Sequence, residues 1–324
     1  MAVYTEIDGD TLAQFAAQYP LAEIDELKGI TAGVQNSNFL IATADTKYIL
    51  TVYESSTNGV AADDLPFFLG LMLYLSAQGL SCPVPLARKD GGLISTVKDK
   101  PAALVSFLEG RSVKTPRPEH CRALGAAMAQ MHLAGDGFKL RRPNNHGLAN
   151  WQMLFERCRS RADEVSPDLT SAMERELIRL KENWPDNLPA GIIHADLFPD
   201  NVFFMQGAVS GLIDFYFACN DFYAYDLAIA LNAWCFEADA TFNVTKARAL
   251  LSGYQNVRPL TPEEIGAVPI LGAGAAMRFL TTRLFDWLNQ VDGAQVELKN
   301  PNDFLRRLRF HRSATRPVDY GLTL

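Results

Sequence analysis

From about residue 119 to residue 310 the chain reads as mostly helical, one amphipathic segment after another. That run is broken once, by GIIHADLFPDNVFFMQGAVSGLIDF. Two isoleucines feed a polar loop that carries His194, Asp196 and Asn201. Apolar residues ahead of such a loop mark a buried strand that delivers it to a surface, and loops held by a rigid scaffold are where chemistry concentrates. VFFM and GLIDF then read as a hairpin around Gln206 and Gly207. A hairpin returns its second strand near the start of its first. The pattern therefore predicts that Asp214 comes back beside Asp196 and Asn201.

Upstream the periodicity differs. DGDTLAQFAAQY reads as a short helix with an acidic N-cap. AEIDELKGITAGVQNSNFLIAT reads as strand, loop, strand, and TKYILTVYE as a third strand rich in β-branched and aromatic residues. ADDLPFFLGLMLYLSAQG is a helix, apolar at Leu65, Phe68, Leu69, Met72 and Leu75, with Gly79 as its stop. CPVPLA, GGLISTV and PAALVSFL are further strand candidates. Gly110, Pro116 and Pro118 then mark a connection. The expected architecture is α+β in two lobes. A small sheet with a helix against it spans residues 1–108, and a larger, mainly helical lobe over 109–324 carries the loop.

Composition narrows the function. A net charge of −7 argues against nucleic acid or an anionic membrane as the main partner. Five cysteines, an odd number without a CxxC, fit neither a disulfide framework nor a zinc site, and read as buried thiols. The N-terminus has no apolar core of the signal-peptide kind, and GAVPILGAGAAM is too short to span a bilayer, which takes about 20 residues. The expected location is the cytoplasm.

A carboxylate can orient or deprotonate a hydroxyl. An amide oxygen and a second carboxylate are hard ligands that suit Mg²⁺ alongside phosphate oxygens. Asp196, Asn201 and Asp214 together are what phosphoryl transfer needs. The spacing HxDxxxxN followed by a strand-borne Asp, here HADLFPDN and IDF, resembles the protein-kinase-like fold. Alanine stands where protein kinases carry arginine, and FACNDFYAYDLA adds a second Asp in a D-L-A string. Both features are similar to the aminoglycoside phosphotransferase-like branch. Within it, GVQNSNF, YILTVYE, LPFFLGLMLYLSAQGLSCPVP, PAALVSFLEG and GIIHADLFPDNVFF resemble the phosphotransferase-like homoserine kinases over most of the chain. The resemblance implies a two-lobed protein-kinase-like fold, ATP and Mg²⁺ as cofactors, and phosphorylation of the hydroxyl of the amino acid L-homoserine, a step toward threonine.

It also implies roles. Asp196 is the expected catalytic base, and Asn201 and Asp214 the expected Mg²⁺ ligands. His194 supports the loop from beneath, and Asp226 braces it from the following helix. GITAGVQNSNF stands where the family's phosphate-covering loop lies, which makes Gly33, Asn36 and Ser37 nucleotide-binding candidates. LVSFLEG stands at the hinge, where backbone groups of Ser106, Phe107 and Leu108 would meet adenine. One departure is Thr51, at the position where protein kinases place a phosphate-gripping lysine. Lys47 or Lys28 would then supply that charge. For the zwitterionic substrate, Tyr223, Arg278 and Arg283 are candidate anchors, since a carboxylate wants a guanidinium and an ammonium wants a carboxylate or an aromatic face. Arg283 and Asp286 are spaced to pair with each other. The remaining histidines, His120, His132, His146 and His311, have no partner pattern beyond a favourable helix end for His132, and RRLRFHRSATR reads as a solvated helix face.

Three other functions share parts of this pattern. One is a kinase for choline, ethanolamine, methylthioribose or an aminoglycoside. Another is a nucleotide-binding protein without turnover, favoured by Thr51. The third is a metallohydrolase using His194, Asp196 and Asp214.

Overall fold

The computed structural model describes residues 4–30, 36–54, 61–290 and 298–322. The chain divides into two compact units. The first holds Met1–Gly110 with two returning segments, Phe138–Leu140 and Gly211–Tyr216. The second holds Arg111–Gly137, Arg141–Ser210 and Phe217–Leu324. A single boundary near residue 108 cannot express those returns, because side chains and not chain order assign them. Phe138 packs its ring on Phe67 and Tyr74, and the Leu212 N–H donates to the Ser81 carbonyl at 3.0 Å.

In the first unit, helix α1 (Gly9–Ala16) starts where the Asp8 carboxylate accepts the Thr11 N–H at 2.8 Å, the acidic cap the sequence predicts. Strands β1 (Ile24–Gly29), β2 (Ser37–Thr43) and β3 (Lys47–Val52) precede helix α2 (Leu65–Ala77). Strands β4 (Ser95–Val97) and β5 (Lys100–Ser106) complete an antiparallel sheet in the order β1-β2-β3-β5-β4. Alternate residues Phe39, Ile41, Leu50 and Val52 point to a core closed by Phe15 and Tyr19. CPVPLA is not a strand. Pro83 and Pro85 have no N–H to give a ladder, so the segment makes an isolated bridge between Pro85 and Val105 and a few single bonds to β5.

The second unit contains helices α3 (Pro118–Ala134), α4 (Leu148–Cys158) and α5 (Leu169–Asn183), then strands β6 (Ala190–Ile193), β7 (Val202–Met205), β8 (Ala208–Leu212) and β9 (Cys219–Phe222). The last two residues of β8 pass into the first unit. Helices α6 (Tyr223–Trp234), α7 (Val244–Gln255), α8 (Pro262–Leu288) and α9 (Asn302–Ser313) follow. β7 and β8 form the predicted hairpin, with Gln206 and Gly207 both at positive φ, 54° and 85°. β9 was not foreseen. CNDF carries two polar residues and shows no strand periodicity, yet it pairs antiparallel with β6, Ile193 opposite Cys219 and Ala190 opposite Phe222. That pairing holds the start of the loop at 194 against the end of the preceding chain turn.

Helix α8 corrects one expectation. GAVPILGAGAAM is the middle of a 27-residue helix, long and apolar enough to cross a bilayer by composition. Its most apolar window is 78% buried inside the fold, packed on α4, α6 and α9, so it is the core helix of the unit. A capping box of Thr261 with Glu264 starts it, at 3.2 and 3.0 Å. All five cysteines are free and buried.

α3 and α7 approach each other at two glycines. A Cβ on Gly125 would stand 2.0 Å from the Leu250 carbonyl oxygen, and one on Gly253 2.1 Å from that of Arg122. Both obstacles are backbone, which cannot rotate away. Gly253→Ala is therefore expected to destabilise the protein by about 1–3 kcal/mol, read as a lower thermal unfolding midpoint; an unchanged midpoint would show that the two helices separate at no cost.

Candidate active site

The loop after β6 is held at nearly every peptide. Asp226, on the first turns of α6, is 0% exposed. Its carboxylate accepts the His194 N–H at 3.0 Å and the Ala195 N–H at 2.8 Å. The Trp234 indole N–H, two turns further along α6, donates to the Leu197 carbonyl at 2.7 Å. From α8, the Arg278 guanidinium donates to the Ala195 carbonyl at 2.6 Å. Ala195 sits at φ +63°, a left-handed conformation that an alanine adopts at a cost. Its N–H and C=O are both clamped by charged groups, which is how the strained conformer is kept.

Within the loop, the Asn201 amide donates to the Asp196 carbonyl at 2.8 Å and to the Asp196 carboxylate at 3.1 Å. The Asn201 amide nitrogen is thereby committed to Asp196, which leaves its oxygen as the end that can serve as a ligand. Asp214 belongs to the first unit. It lies just past β8 at φ +66°, and burial pushes its carboxyl up to about 6, opposed by the backbone N–H of Tyr216. Such a desolvated carboxylate gains by exchanging its proton for a cation. A carboxylate and an amide oxygen are each the kind of hard oxygen ligand that Mg²⁺ takes beside phosphate. No cluster of three or more His, Cys, Asp or Glu suited to a metal occurs among the described residues, so the metallohydrolase reading finds no ligand set.

Asp226 is also the end of a buried relay that the sequence did not reveal. Its carboxylate meets His132 Nε2 at 3.0 Å, and His132 Nδ1 meets the Tyr254 hydroxyl at 2.7 Å. Burial works to raise the Asp226 carboxyl; the hydrogen bond and charge of His132, and the charge of His194, outweigh it and hold Asp226 below the usual carboxylate range. His132 was readable only as a helix-end residue. The available signal was its place on the apolar stripe of α3 with Cys121, Leu124 and Met128, because a polar group at a core position must find a partner.

Several sequence candidates have other tasks. Ser37 and Asn36 are buried. The Ser37 hydroxyl donates to Glu54 at 2.6 Å and accepts the Tyr4 and Thr5 N–H groups, and the Asn36 side chain accepts the Glu54 N–H at 3.3 Å. Glu54 is completed by Thr5 and Lys100. This network ties the N-terminal segment to the sheet, so the two side chains do not point at a phosphate. Gly33 lies outside the described residues. At the hinge, the Ser106 N–H goes to the Val84 carbonyl and the Phe107 N–H to the Lys47 carbonyl. The Leu108 N–H makes no hydrogen bond among the described residues. Thr51 donates to Asn38 at 2.8 Å and lies within hydrogen-bonding reach of Tyr216, whose hydroxyl meets that of Tyr53 at 2.9 Å. The kinase lysine position is thus filled by a neutral cluster. Lys47 lies over the Phe107 ring, and Lys28 is exposed on β1.

Tyr223 sits beside Ala190, at the far end of the β6–β9 pair from the loop, stacked on His132 at 4.7 Å with its hydroxyl against Gly191. It packs against the strand pair. Arg278 is 2% exposed and faces inward to the loop backbone. Arg283 pairs with Asp303 at 3.6 Å and not with Asp286, and it feels the charge of Asp196. The basic run of α9 is only partly solvated, since Arg307 donates to the Asn232 carbonyl at 2.8 Å and His311 lies buried between Tyr320 and Asn232.

Arg278→Met is expected to lower kcat by about 10- to 100-fold through loss of a charge-assisted bond to the loop, with substrate KM little changed. A rise in KM at constant kcat would instead make Arg278 a substrate anchor.

Residues 26–260 match the model of the phosphotransferase enzyme family. A homoserine kinase of Allorhizobium ampelinum is 56% identical over 321 residues, 99% of either chain. One from Rhizobium etli is 54% identical over the full length of both. In fold, the chain is similar to a choline kinase of Cryptosporidium parvum, with a TM-score of 0.70, 14% identity, and coverage of 94% of this chain and 95% of that one. It is similar also to the amicoumacin kinase hAmiN solved with AMP-PNP and Ca²⁺, with a TM-score of 0.69, 16% identity, and coverage of 96% and 95%. The two units are the lobes of the kinase-like α+β fold, and the chain belongs to the phosphotransferase enzyme family, with homoserine kinases as its full-length relatives.

Proposed function

We propose that this protein transfers the γ-phosphoryl group of ATP to the side-chain hydroxyl of L-homoserine, giving O-phospho-L-homoserine and ADP. The observation that carries the reading is the fixed Asp196–Asn201 pair on a clamped loop, in a chain more than half identical to homoserine kinases along its whole length. Asp196 accepts the proton of the attacking hydroxyl. The new O–P bond forms on the substrate oxygen as the bond from the γ-phosphorus to the bridging oxygen of ADP breaks. Asn201 and Asp214 would hold Mg²⁺, which supplies charge neutralisation on the phosphates when bound. The Leu108 N–H is the hinge donor offered to adenine. The cytoplasm, where ATP is made available, is the proposed location.

Two measurements check this reading. With Mg-ATP and a panel of homoserine, choline, ethanolamine, methylthioribose and kanamycin, ADP release is expected on homoserine, and Asp196→Asn is expected to lower kcat by about 10²–10⁴-fold. Turnover confined to another acceptor would overturn the substrate. The second measurement uses the Asp214 carboxyl, protonated below about 6 in the absence of metal. A cation must displace that proton, so Mg²⁺ affinity is full above this pH and falls roughly tenfold per unit below it. Calorimetric titration with Mg²⁺ and a non-hydrolysable ATP analogue, corrected for protonation of the nucleotide itself, reads this directly; a flat profile would remove Asp214 from the ligand set.

A further inference from the structure

Positive charge is concentrated beside the loop, more of it than the loop uses. Arg283 on α8 and Arg307 on α9 both lay their guanidinium groups on the ring of Phe304, at 4.5 and 4.4 Å from its centroid. The Arg283 side chain is 14% exposed. Its nearest acceptors are Asp303 at 3.6 Å and the Asn300 carbonyl at 3.5 Å, both at the outer limit of a bond. Asp303 is shared with Arg306, which holds it more closely at 3.0 Å. Arg307 donates through one terminal nitrogen to the Asn232 carbonyl, and its Nε is buried with no hydrogen-bond partner among the described residues. Arg283 and Arg306 therefore share one carboxylate, and Arg307 has a backbone carbonyl in place of a counter-ion.

Desolvation weakens the proton affinity of both inward arginines, and the neighbouring charge of Arg283 adds to the effect in Arg307, pushed down to about 10. Like charges out of water are unfavourable unless an anion joins them. In Arg283 the charges of Asp303 and Asp196 act in the opposite sense, so this guanidinium lies in the field of the proposed base. Lys299 adds a further cation, 5.7 Å over the ring of Phe198, which is itself part of the loop. Phe198 and Phe279 lie edge to face at 4.9 Å, giving the basic group an apolar wall. A guanidinium fork matches a carboxylate in shape and charge.

We infer that Arg283 and Arg307 form a binding subsite for the α-carboxylate of the substrate, one that turns the amino-acid end toward Phe304 and the hydroxyl end toward Asp196. The inference rests on the proposed homoserine kinase activity and adds to it the group that distinguishes an amino-acid alcohol from a plain amino alcohol.

The test is steady-state kinetics of the full-length wild type, Arg283→Gln, Arg283→Lys and Arg307→Gln, with the acceptor varied at saturating Mg-ATP and Mg-ATP varied at saturating homoserine. L-Homoserine is compared with 3-amino-1-propanol, which is homoserine without its carboxylate, followed as a substrate or, where it is not turned over, as a competitive inhibitor. Arg283→Gln is expected to raise the homoserine KM tenfold or more, on the order of the loss of one charge-assisted hydrogen bond. The KM for ATP and the constants for 3-amino-1-propanol should not move, and Arg283→Lys should fall between wild type and Gln because it restores charge without the fork. Should Arg307→Gln fail to fold, Arg283→Gln decides the matter alone. An unchanged homoserine KM, an equal loss for both acceptors, or a rise in the ATP KM would overturn the subsite while leaving the kinase activity standing. Absence of homoserine turnover in the wild type would overturn the activity itself, and the subsite with it.

Discussion

The fully buried Asp226 carboxylate accepts two consecutive backbone N–H groups of the loop after β6, those of His194 and Ala195. Two buried peptide donors satisfied by one charge make a clamp whose loss would leave both orphaned, which is costly in a low-dielectric interior. The rest of the second unit is arranged around this fact. α6 brings the carboxylate, β9 places α6 immediately beside β6, and α3 and α7 contribute His132 and Tyr254 to keep the carboxylate charged. α8 approaches from another side and holds the Ala195 carbonyl through Arg278.

Such a clamp explains how a left-handed alanine can precede Asp196, the proposed base. The conformation is unfavourable in isolation, and the clamp pays for it from both sides of the residue. Its consequence is a loop with little freedom, in which Asp196 and Asn201 keep one relation to each other. Phosphoryl transfer depends mostly on positioning and on electrostatics fixed before the reaction, so rigidity at this loop is a catalytic property. The α3–α7 contact, closed to the distance only glycines allow, extends that rigidity to the relay behind it.

In the first unit the corresponding economy is neutral. Thr51, Asn38, Tyr53 and Tyr216 form hydrogen bonds where protein kinases use an ion pair. Tyr216 follows Asp214 by two residues, so the polar cluster of the sheet is joined in sequence to the proposed metal ligand. Positive charge gathers instead in the second unit, at Arg283 and Arg307, the proposed subsite for a substrate carboxylate.

Much of this was legible in the chain. The loop after an apolar strand, the hairpin set by Gln206-Gly207, the acidic cap at Asp8 and the switch from strand to helical period are local signals, carried by residues near one another in sequence. So was the bracing of the loop by Asp226, because the D-L-A string follows the motif of Asp196, Asn201 and Asp214. What the sequence could not assign were residues whose task depends on what stands opposite. Ser37 reads as a nucleotide-binding candidate, and only the fold sets Glu54 2.6 Å from it and Tyr223 beside Ala190. Arg307 and His132 look like ordinary helix residues and Arg278 like a substrate anchor, and only packing turns each inward. Sequence thus determined the elements and the motif, which follow from local periodicity and spacing. Tertiary structure decided which polar side chains became buried, since that depends on partners distant in the chain, and burial is what makes a hydrogen bond or an unneutralised charge matter.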